Sequence, residues 1–448
     1  MKLLKTLALF GILLILAAYV YFYEIKGGEE REREKQISEK VFNFETDSVN
    51  VVEIRSLFNQ FRFERATEGW MIKNPVETGG DKSAIDGLLN NLRNMKKVRE
   101  FTINDGEQKD FGLVGRSLLV IVQFRNGERD SVRFGDNTPV NNNVFAGKGD
   151  TVVFMLAAQS KTNADKKLFD WRDKSIAKIK QDEVREMWLK NRKGEFHLVQ
   201  EGNEWYLKEP REVKAENQTI NNMLRKFQND KIKSVVSENF DNAVEYRLNK
   251  PQYEVDLYLG EAKAHKQIIF SSLKDNVANG KDDSRPHVFT VDSNFTRELD
   301  KDFFALRDKK IVIDFDRNNT DSIVVIQGDS SVVFNKDTSG TWLWNGEKKV
   351  KNWKINSLFS SLSSLKADRF LLEEVESTRQ YGLADPERIV RLFQGTDQTV
   401  EVHFSQPNEN LNVAYGLDKK VVAEISESSF NNFEVKTTEF IEEEKDTP

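Results

Sequence analysis

Short runs in which apolar and polar residues alternate recur along most of the chain. The run VVEIRSLFNQFRFER at 51–65 alternates on both sides of Asn59-Gln60, which predicts a β-hairpin with its turn at that pair. A third strand is predicted at 70–72, and later alternating runs are separated by turns rich in Gly, Asn and Asp. We expect these runs to form an antiparallel sheet of about seven strands.

A helical period interrupts the alternation after the third strand. From Ile85 to Met95 the apolar residues recur at i, i+3, i+4, i+7 and i+10, which places them on one face of an amphipathic helix. Asp81 precedes this run and is the expected N-cap. A sheet covered on one face by such a helix is an α+β module.

The whole pattern occurs three times, because equivalent residues recur at an interval of 135. Trp70 and Trp205 keep this interval, whereas Trp342 lies 137 residues after Trp205. A fixed interval of this length indicates tandem repeats of one module. Its shared apolar positions are expected to form the module cores, and they are Trp70, Trp205, Trp342, Ile85, Ile220, Ile355, Leu92, Phe227 and Leu362. Stacking against a ligand is the alternative role for the tryptophans.

A polar phrase also keeps the interval. RDKSI at 172–176 returns as RDKKI at 307–311, and the third copy has VKTTEF at 435–440 in that region. The phrase is therefore lost where no fourth module follows. We predict that it fixes the junction between consecutive modules through Arg172, Asp173, Arg307 and Asp308. Binding of a partner by the two arginines is the alternative.

The N-terminus contains an uncharged run from Thr6 to Tyr23. As a helix, 18 residues are about 27 Å long, close to the hydrocarbon thickness of a bilayer. We therefore predict a transmembrane anchor at 1–23, with a cleaved signal peptide as the alternative. The residues expected to form the anchor are Leu7, Leu9, Phe10, Leu13, Leu14, Leu16, Val20, Tyr21, Phe22 and Tyr23.

This anchor sets the predicted organisation and location. The fold class is predicted to be α+β, with an N-terminal transmembrane helix followed by three tandem repeats of an antiparallel sheet-plus-helix module. The predicted ranges are an anchor at 1–23, a charged stalk at 24–44, modules at 45–175, 176–310 and 311–440, and an acidic tail at 441–448. Charges near the run do not decide its orientation, but large domains after a first span are often translocated. We expect a single-pass protein of the bacterial inner membrane with an extracytoplasmic, periplasmic body.

Composition and motifs exclude several classes of chemistry. The net charge of −6 provides no obvious basic surface, so nucleic acid is not an expected partner. The absence of cysteine removes disulfides, thiolate metal sites and cysteine nucleophiles. The four histidines lack metal-ligand spacing, and the sequence contains no phosphate-loop, dinucleotide-binding or GxSxG motif. We predict no catalytic, metal or cofactor-binding residues.

The combination of an N-terminal apolar run, YFYEIKGGEEREREK, the phrase W-x-[IL]-K-x-P, FGL and RDK resembles a bacterial family described as domain of unknown function 4340. The resemblance covers residues 1–440. It implies an envelope accessory subunit, since members are often encoded near ABC-type transport components related to the gliding-motility exporter. The predicted function is therefore a non-enzymatic, membrane-anchored adaptor that binds protein partners such as transporter subunits. The alternatives are an envelope receptor for glycan or peptide and a hydrolase with an unrecognised site.

Overall fold

The computed structural model describes residues 11, 16–17, 19–21, 33, 37–104, 106–375 and 380–442. Within them the chain is mostly β, with three antiparallel sheets of nine strands each. The chain divides into two compact units, Met1–Glu195 with Asn221–Asp300 and Phe196–Ile220 with Lys301–Pro448.

The first sheet begins with a meander and closes with a return to its far edge. Its strands are β1 Val49–Arg55, β2 Gln60–Ala66, β3 Gly69–Asn74, β4 Thr78–Gly80, β5 Arg99–Thr102, β6 Leu118–Phe124, β7 Arg129–Asn137, β8 Asn143–Lys148 and β9 Val152–Ala157. Their order is β4-β3-β2-β1-β6-β7-β8-β9-β5. β1 pairs with β6 with Val52 opposite Val122, and both side chains are fully buried.

The second sheet repeats this order as β13-β12-β11-β10-β15-β16-β17-β18-β14. Its strands are β10 Val184–Asn191, β11 Gly194–Glu201, β12 Glu204–Glu209, β13 Val213–Lys214, β14 Ser234–Ser237, β15 Tyr253–Leu259, β16 Ala264–Phe270, β17 Val277–Asp282 and β18 Val288–Asp292.

The third sheet has the order β22-β21-β20-β19-β24-β25-β26-β27-β23. Its strands are β19 Ser322–Gln327, β20 Ser330–Lys336, β21 Trp342–Trp344, β22 Lys348–Lys349, β23 Arg369–Leu372, β24 Arg388–Gln394, β25 Asp397–Asn408, β26 Leu411–Gly416 and β27 Val421–Ile425.

One helix of 12 or 13 residues accompanies each sheet, and the other described helices are shorter. The helices are α1 Lys82–Arg93, α2 Gln159–Ala164, α3 Leu168–Trp171, α4 Asn217–Asn229, α5 Ser293–Leu299, α6 Phe303–Leu306, α7 Asn352–Ser363, α8 Glu427–Asn431 and α9 Thr437–Phe440. Single 3-10 turns lie at Thr46–Ser48, Glu107–Phe111, Gln181–Glu183 and Gln380–Gly382. The α1 N-cap is Asp81, whose Oδ1 accepts a hydrogen bond from the Ala84 amide at 3.0 Å.

Each of these three helices supplies buried apolar residues. Ile85 and Leu92 of α1 lie in one hydrophobic cluster with Trp70. Ile355 and Leu362 of α7 lie in a second cluster with Trp342. In the second module Trp205, Ile220 and Phe227 are at most 1% exposed.

The predicted fold class, α+β with a transmembrane helix, is wrong. The described chain is mostly β, with nine strands in each sheet rather than about seven and few helices. The additional strands are the edge strands β4, β5, β13, β14, β22 and β23, which have two to four residues each. Runs this short cannot show the alternation on which the strand count depended.

The prediction of a transmembrane anchor is also corrected. A span needs about 20 consecutive, mainly apolar residues in one helix, and every helix within the described residues is too short or too polar to provide it. Of the predicted anchor, Leu16, Val20 and Tyr21 are described and are about half exposed. The other named residues, which are Leu7, Leu9, Phe10, Leu13, Leu14, Phe22 and Tyr23, lie outside the described residues.

The predictions that depended on this anchor are wrong with it. They are the signal anchor, the membrane as a partner, the single-pass inner-membrane location and the periplasmic body, because no described helix carries a span. Most of the predicted stalk at 24–44 and of the acidic tail at 441–448 lies outside the described residues.

Candidate functional site

The three repeat tryptophans are buried. Trp70, Trp205 and Trp342 are 3%, 1% and 6% exposed. Trp70 donates from Nε1 to Asp86 Oδ1 at 2.8 Å, and the Arg65 guanidinium lies 4.4 Å from its ring centre. With so little exposed ring surface, these residues do not offer a stacking platform for a ligand.

The first RDK phrase connects two modules by backbone hydrogen bonds within one compact unit. The Asp173 amide donates to Gly79 O at 2.8 Å, at the end of β4 in the first sheet. Two residues later, Ser175 pairs with Lys231, which precedes β14 of the second sheet. The phrase therefore joins the edge of one module to the beginning of the edge strand of the next.

The Arg172 side chain lies inside this junction and is 2% exposed. Its Nη2 donates to Glu238 Oε1, which follows β14, while Nη1 is buried without a hydrogen-bond partner. A guanidinium in this position is costly to bury alone, so Glu238 offsets the loss of hydration. Because the Glu238 side chain is 42% exposed, part of the attraction is screened by solvent.

His287 lies next to the same junction and is 2% exposed. Burial lowers its pKa to about 4, and the neighbouring positive charges of Arg285 and Arg172 lower it further. Neither ring nitrogen has a hydrogen-bond partner. Arg285 itself donates from Nη1 to Ser175 O at 2.8 Å, so a second buried arginine is tied to the RDK phrase.

The second RDK phrase makes the same connections in the other compact unit. The Asp308 amide donates to Lys214 O at 2.8 Å, and Lys310 pairs with Lys366. Arg307 binds Glu373 in a bidentate manner, with Nη1 to Oε1 at 2.8 Å and Nη2 to Oε2 at 2.9 Å. Such paired, charge-assisted hydrogen bonds are among the strongest in proteins.

Glu373 also accepts from Arg211 Nη2 at 2.5 Å. The hydrogen bond from Arg307 is the main cause that lowers the pKa of Glu373, and Arg211 adds to it against the effect of burial. The Arg307 guanidinium lies 3.8 Å from the centre of the Phe370 ring, a cation–π contact.

The two junction aspartates form equivalent turns. Asp173 Oδ1 accepts from the Ser175 amide at 2.9 Å, and Asp308 Oδ1 accepts from the Lys310 amide at 3.0 Å. These are side-chain-to-backbone bonds two residues apart, a geometry that fixes a tight turn. The aspartates therefore shape the junction backbone, while the arginines connect it to the next module.

The ion pairs repeat with the modules. Arg172 and Arg307 each contact a glutamate 66 residues further along the chain. At the end of the third module, Ile441 pairs with Val350 as Arg172 pairs with Gly80. The sequence analysis missed Glu238 and Glu373 as partners, although their own spacing of 135 was a signal that could have identified them.

A second feature that the sequence did not identify is the tip of the first hairpin. The turn lies at Ser56–Asn59 rather than at Asn59-Gln60, since β1 ends at Arg55 and β2 begins at Gln60. The Ser56 amide donates to Asn59 O at 2.8 Å, and the Asn59 amide donates to Ser56 Oγ at 3.1 Å. These bonds hold Leu57 and Phe58 outward, where they are 57% and 89% exposed.

The polar residues do not form a metal centre in the part of the chain that the structure describes, where no group of three or more His, Asp or Glu side chains is arranged to hold an ion. The junctions therefore offer buried charge and hydrogen bonding, and the hairpin tip offers an ordered apolar contact.

Comparison with known proteins identifies one family. A family model described as Domain of unknown function (DUF4340) matches residues 70–251 and 205–386. The two matches are offset by 135 residues, and each contains one complete junction pair. No curated protein matches the chain.

Among solved structures, the chain is similar to DNA polymerase sliding clamps. One from Pseudomonas aeruginosa with ligand is 8% identical, covers 87% of this chain and 95% of its own, and has a TM-score of 0.14. The DNA polymerase III subunit beta from the same organism is 9% identical over 87% of this chain and 96% of its own, with a TM-score of 0.13. Similarities this low carry no argument about fold or function.

Proposed function

This chain belongs to the family described as Domain of unknown function (DUF4340), and we propose that it acts as a non-enzymatic accessory protein of an ABC-type transport assembly. Its protein partners, the permease or ATPase subunits, bind the first hairpin tip at Leu57 and Phe58. The association with transport components comes from the resemblance of the sequence to that family.

The observation that supports a protein partner is the exposure of Phe58, at 89%. Single exposed apolar residues are common on protein surfaces. Here, however, two adjacent apolar side chains occupy a turn that two hydrogen bonds already order. A preorganised aromatic residue loses little conformational entropy on binding, which is a property of interface hot spots.

The other modules provide an internal comparison. The corresponding hairpin turn contains Arg192 and Lys193 in the second sheet and Gly328 and Asp329 in the third. A polar turn is thus compatible with this fold, so the fold itself does not require Leu57 and Phe58. This supports a role for the apolar pair in contacts outside the module.

The junctions support a scaffold role. Each of the two family matches extends through one complete junction, including Arg172 with Glu238 or Arg307 with Glu373. A unit that includes its own connector suits serial modules that hold partners in fixed order.

The proposal is tested by copurification of the tagged full chain from its native host. We expect permease and ATPase subunits to copurify with the wild-type chain and to decrease at least about tenfold with Phe58→Ser. Val140→Ser, which removes another apolar residue that is 67% exposed, is the matched control and should retain both subunits. Failure of the wild-type chain to retain either subunit, or equal loss in both variants, would contradict the proposal.

The non-enzymatic part has a separate test. The purified chain is expected to show no turnover of ester, amide, glycoside or phosphate substrates. Sustained turnover that follows the protein through successive purification steps would show that the chain is an enzyme.

A further inference from the structure

A groove lies on the outer face of the second sheet, where β10, β15 and β16 run side by side. Its volume is about 370 Å³, within the range of roughly 300–1,000 Å³ that is usual for small-molecule sites. The side chains that matter here are Trp188, Lys190, Glu254, Asp256, Tyr258 and His265.

Strand register brings these residues together. Trp188 lies opposite Asp256, and Lys190 lies opposite Glu254, across β10 and β15. Tyr258 lies opposite His265 across β15 and β16. Side chains two residues apart on a strand share a face, so the aromatic and charged groups converge on one surface.

The polar groups of the groove are held in place by one another. His265 Nε2 lies 2.7 Å from Asp256 Oδ1, and the centres of the His265 and Tyr258 rings are 5.0 Å apart. Lys190 Nζ lies 3.0 Å from Glu195 Oε1 and 3.7 Å from Glu254 Oε1. The groove therefore presents hydrogen-bond donors and acceptors at defined positions beside aromatic surface.

The first sheet shows what the same position contains without such a groove. The cross-strand row Trp188, Asp256 and Gln267 of the second sheet corresponds there to Glu53, Ile121 and Ser131. Glu53 is engaged in ion pairs with arginines of its own sheet.

The third sheet differs again. Its row is Val324, Arg391 and Glu401, in which Arg391 Nε donates to Glu401 at 2.8 Å. Three sheets of one strand order thus tolerate different rows, so the fold does not require the aromatic and carboxylate set. That set points to a ligand specific to the second module.

We propose that this groove binds a saccharide. The C–H face of a sugar ring packs on an aromatic ring such as Trp188, while its hydroxyls both donate and accept hydrogen bonds. Carboxylates of Asp256 and Glu254 accept from those hydroxyls, and Lys190 donates to them. A cationic ligand would suit the aromatic rings and carboxylates alone, but Lys190 already lies against Glu254 and would repel it.

The purified full chain tests the proposal on a printed glycan microarray, followed by calorimetric titration with cellotriose, maltotriose, chitotriose and any saccharide that the array identifies. We expect binding of at least one saccharide and a loss of at least about tenfold in affinity with Trp188→Ala. Asp256→Asn, which preserves shape, should weaken binding by about fivefold. Trp353→Ala removes another tryptophan, 61% exposed, and should leave the affinity unchanged.

Three results would overturn the proposal: no saccharide binding by the wild-type chain, binding of triarginine in its place, or saccharide binding that both groove variants retain. Circular dichroism and thermal unfolding establish whether Trp188→Ala remains folded. If it does not fold, the Asp256→Asn titration decides the result. The groove lies on a different sheet from Leu57 and Phe58, so loss of transporter copurification and loss of saccharide binding can be told apart by their variants.

Discussion

Replacement of Arg307 by Met measures how much a junction ion pair stabilises the fold. The variant keeps most of the side-chain volume but removes the two hydrogen bonds to Glu373 and the cation–π contact with Phe370. The side chains of Arg307 and Glu373 are only 9% and 25% exposed, so solvent screens their attraction weakly.

The expected cost follows from these contacts. Hydrogen bonds to charged groups contribute about 1.5–3 kcal/mol, and a partly desolvated cation–π contact contributes about 0.5–2 kcal/mol. Glu373 keeps its hydrogen bond from Arg211, so its carboxylate is not left unpaired. We therefore expect Arg307→Met to lower the free energy of unfolding by about 2–4 kcal/mol.

Urea unfolding followed by tryptophan fluorescence gives this free energy, and a double-mutant cycle with Glu373→Gln isolates the pair. We expect a coupling energy of about 1–3 kcal/mol. Arg369→Met is the matched control, because Arg369 is 68% exposed and its ion pair with Glu424 should contribute at most about 1 kcal/mol. A coupling energy below about 0.5 kcal/mol, or an equal loss in the control, would refute the view that the buried pair holds the junction.

Two further predictions concern pH and backbone contacts. Because the pKa of His287 falls to about 4 on folding, the unfolded chain binds an additional proton between about pH 6.5 and 4, so stability falls as pH decreases through that window; thermal unfolding of His287→Leu should show a smaller decrease than wild type, and identical pH profiles would contradict this. A Cβ on Gly135 would lie 2.0 Å from Phe111 O, so Gly135→Ala should destabilise by at least about 2 kcal/mol, whereas Gly87→Ala in α1, where nothing lies within 4 Å of the added Cβ, should stabilise by about 0.5–1 kcal/mol in the same urea assay; equal effects would show that the close approach does not matter.

The sequence revealed those features that repeat over long distances. The interval of 135 residues was visible because equivalent apolar positions recur in each copy, and three sheets of one strand order are present. The apolar period of α1 was also visible, because Ile85, Leu88, Leu89 and Leu92 face one side and are buried.

Other features depend on contacts that a linear pattern cannot show. The edge strand β13 has two residues, too few for any period, which is one reason why the class was taken as α+β. The hydrogen bond from Arg172 to Glu238 joins residues 66 positions apart, and neither residue type indicates burial by itself. The uncharged run near the N-terminus predicted a span by length alone, and no described helix provides one.

The exposure of Phe58 was hidden for a related reason. In the sequence it continues the apolar positions of a hairpin, and only the turn at Ser56–Asn59 places it at the tip. A one-residue change in turn position reverses the face of every following side chain, so patterning could not decide this residue.

Site-specific photocrosslinking tests the central claim most directly. A photoreactive phenylalanine analogue at position 58 of the full chain should form a crosslink to a permease or ATPase subunit in the native host, and the same group at position 140 should not. The absence of any such crosslink at position 58, or equal crosslinking from both positions, would contradict the account.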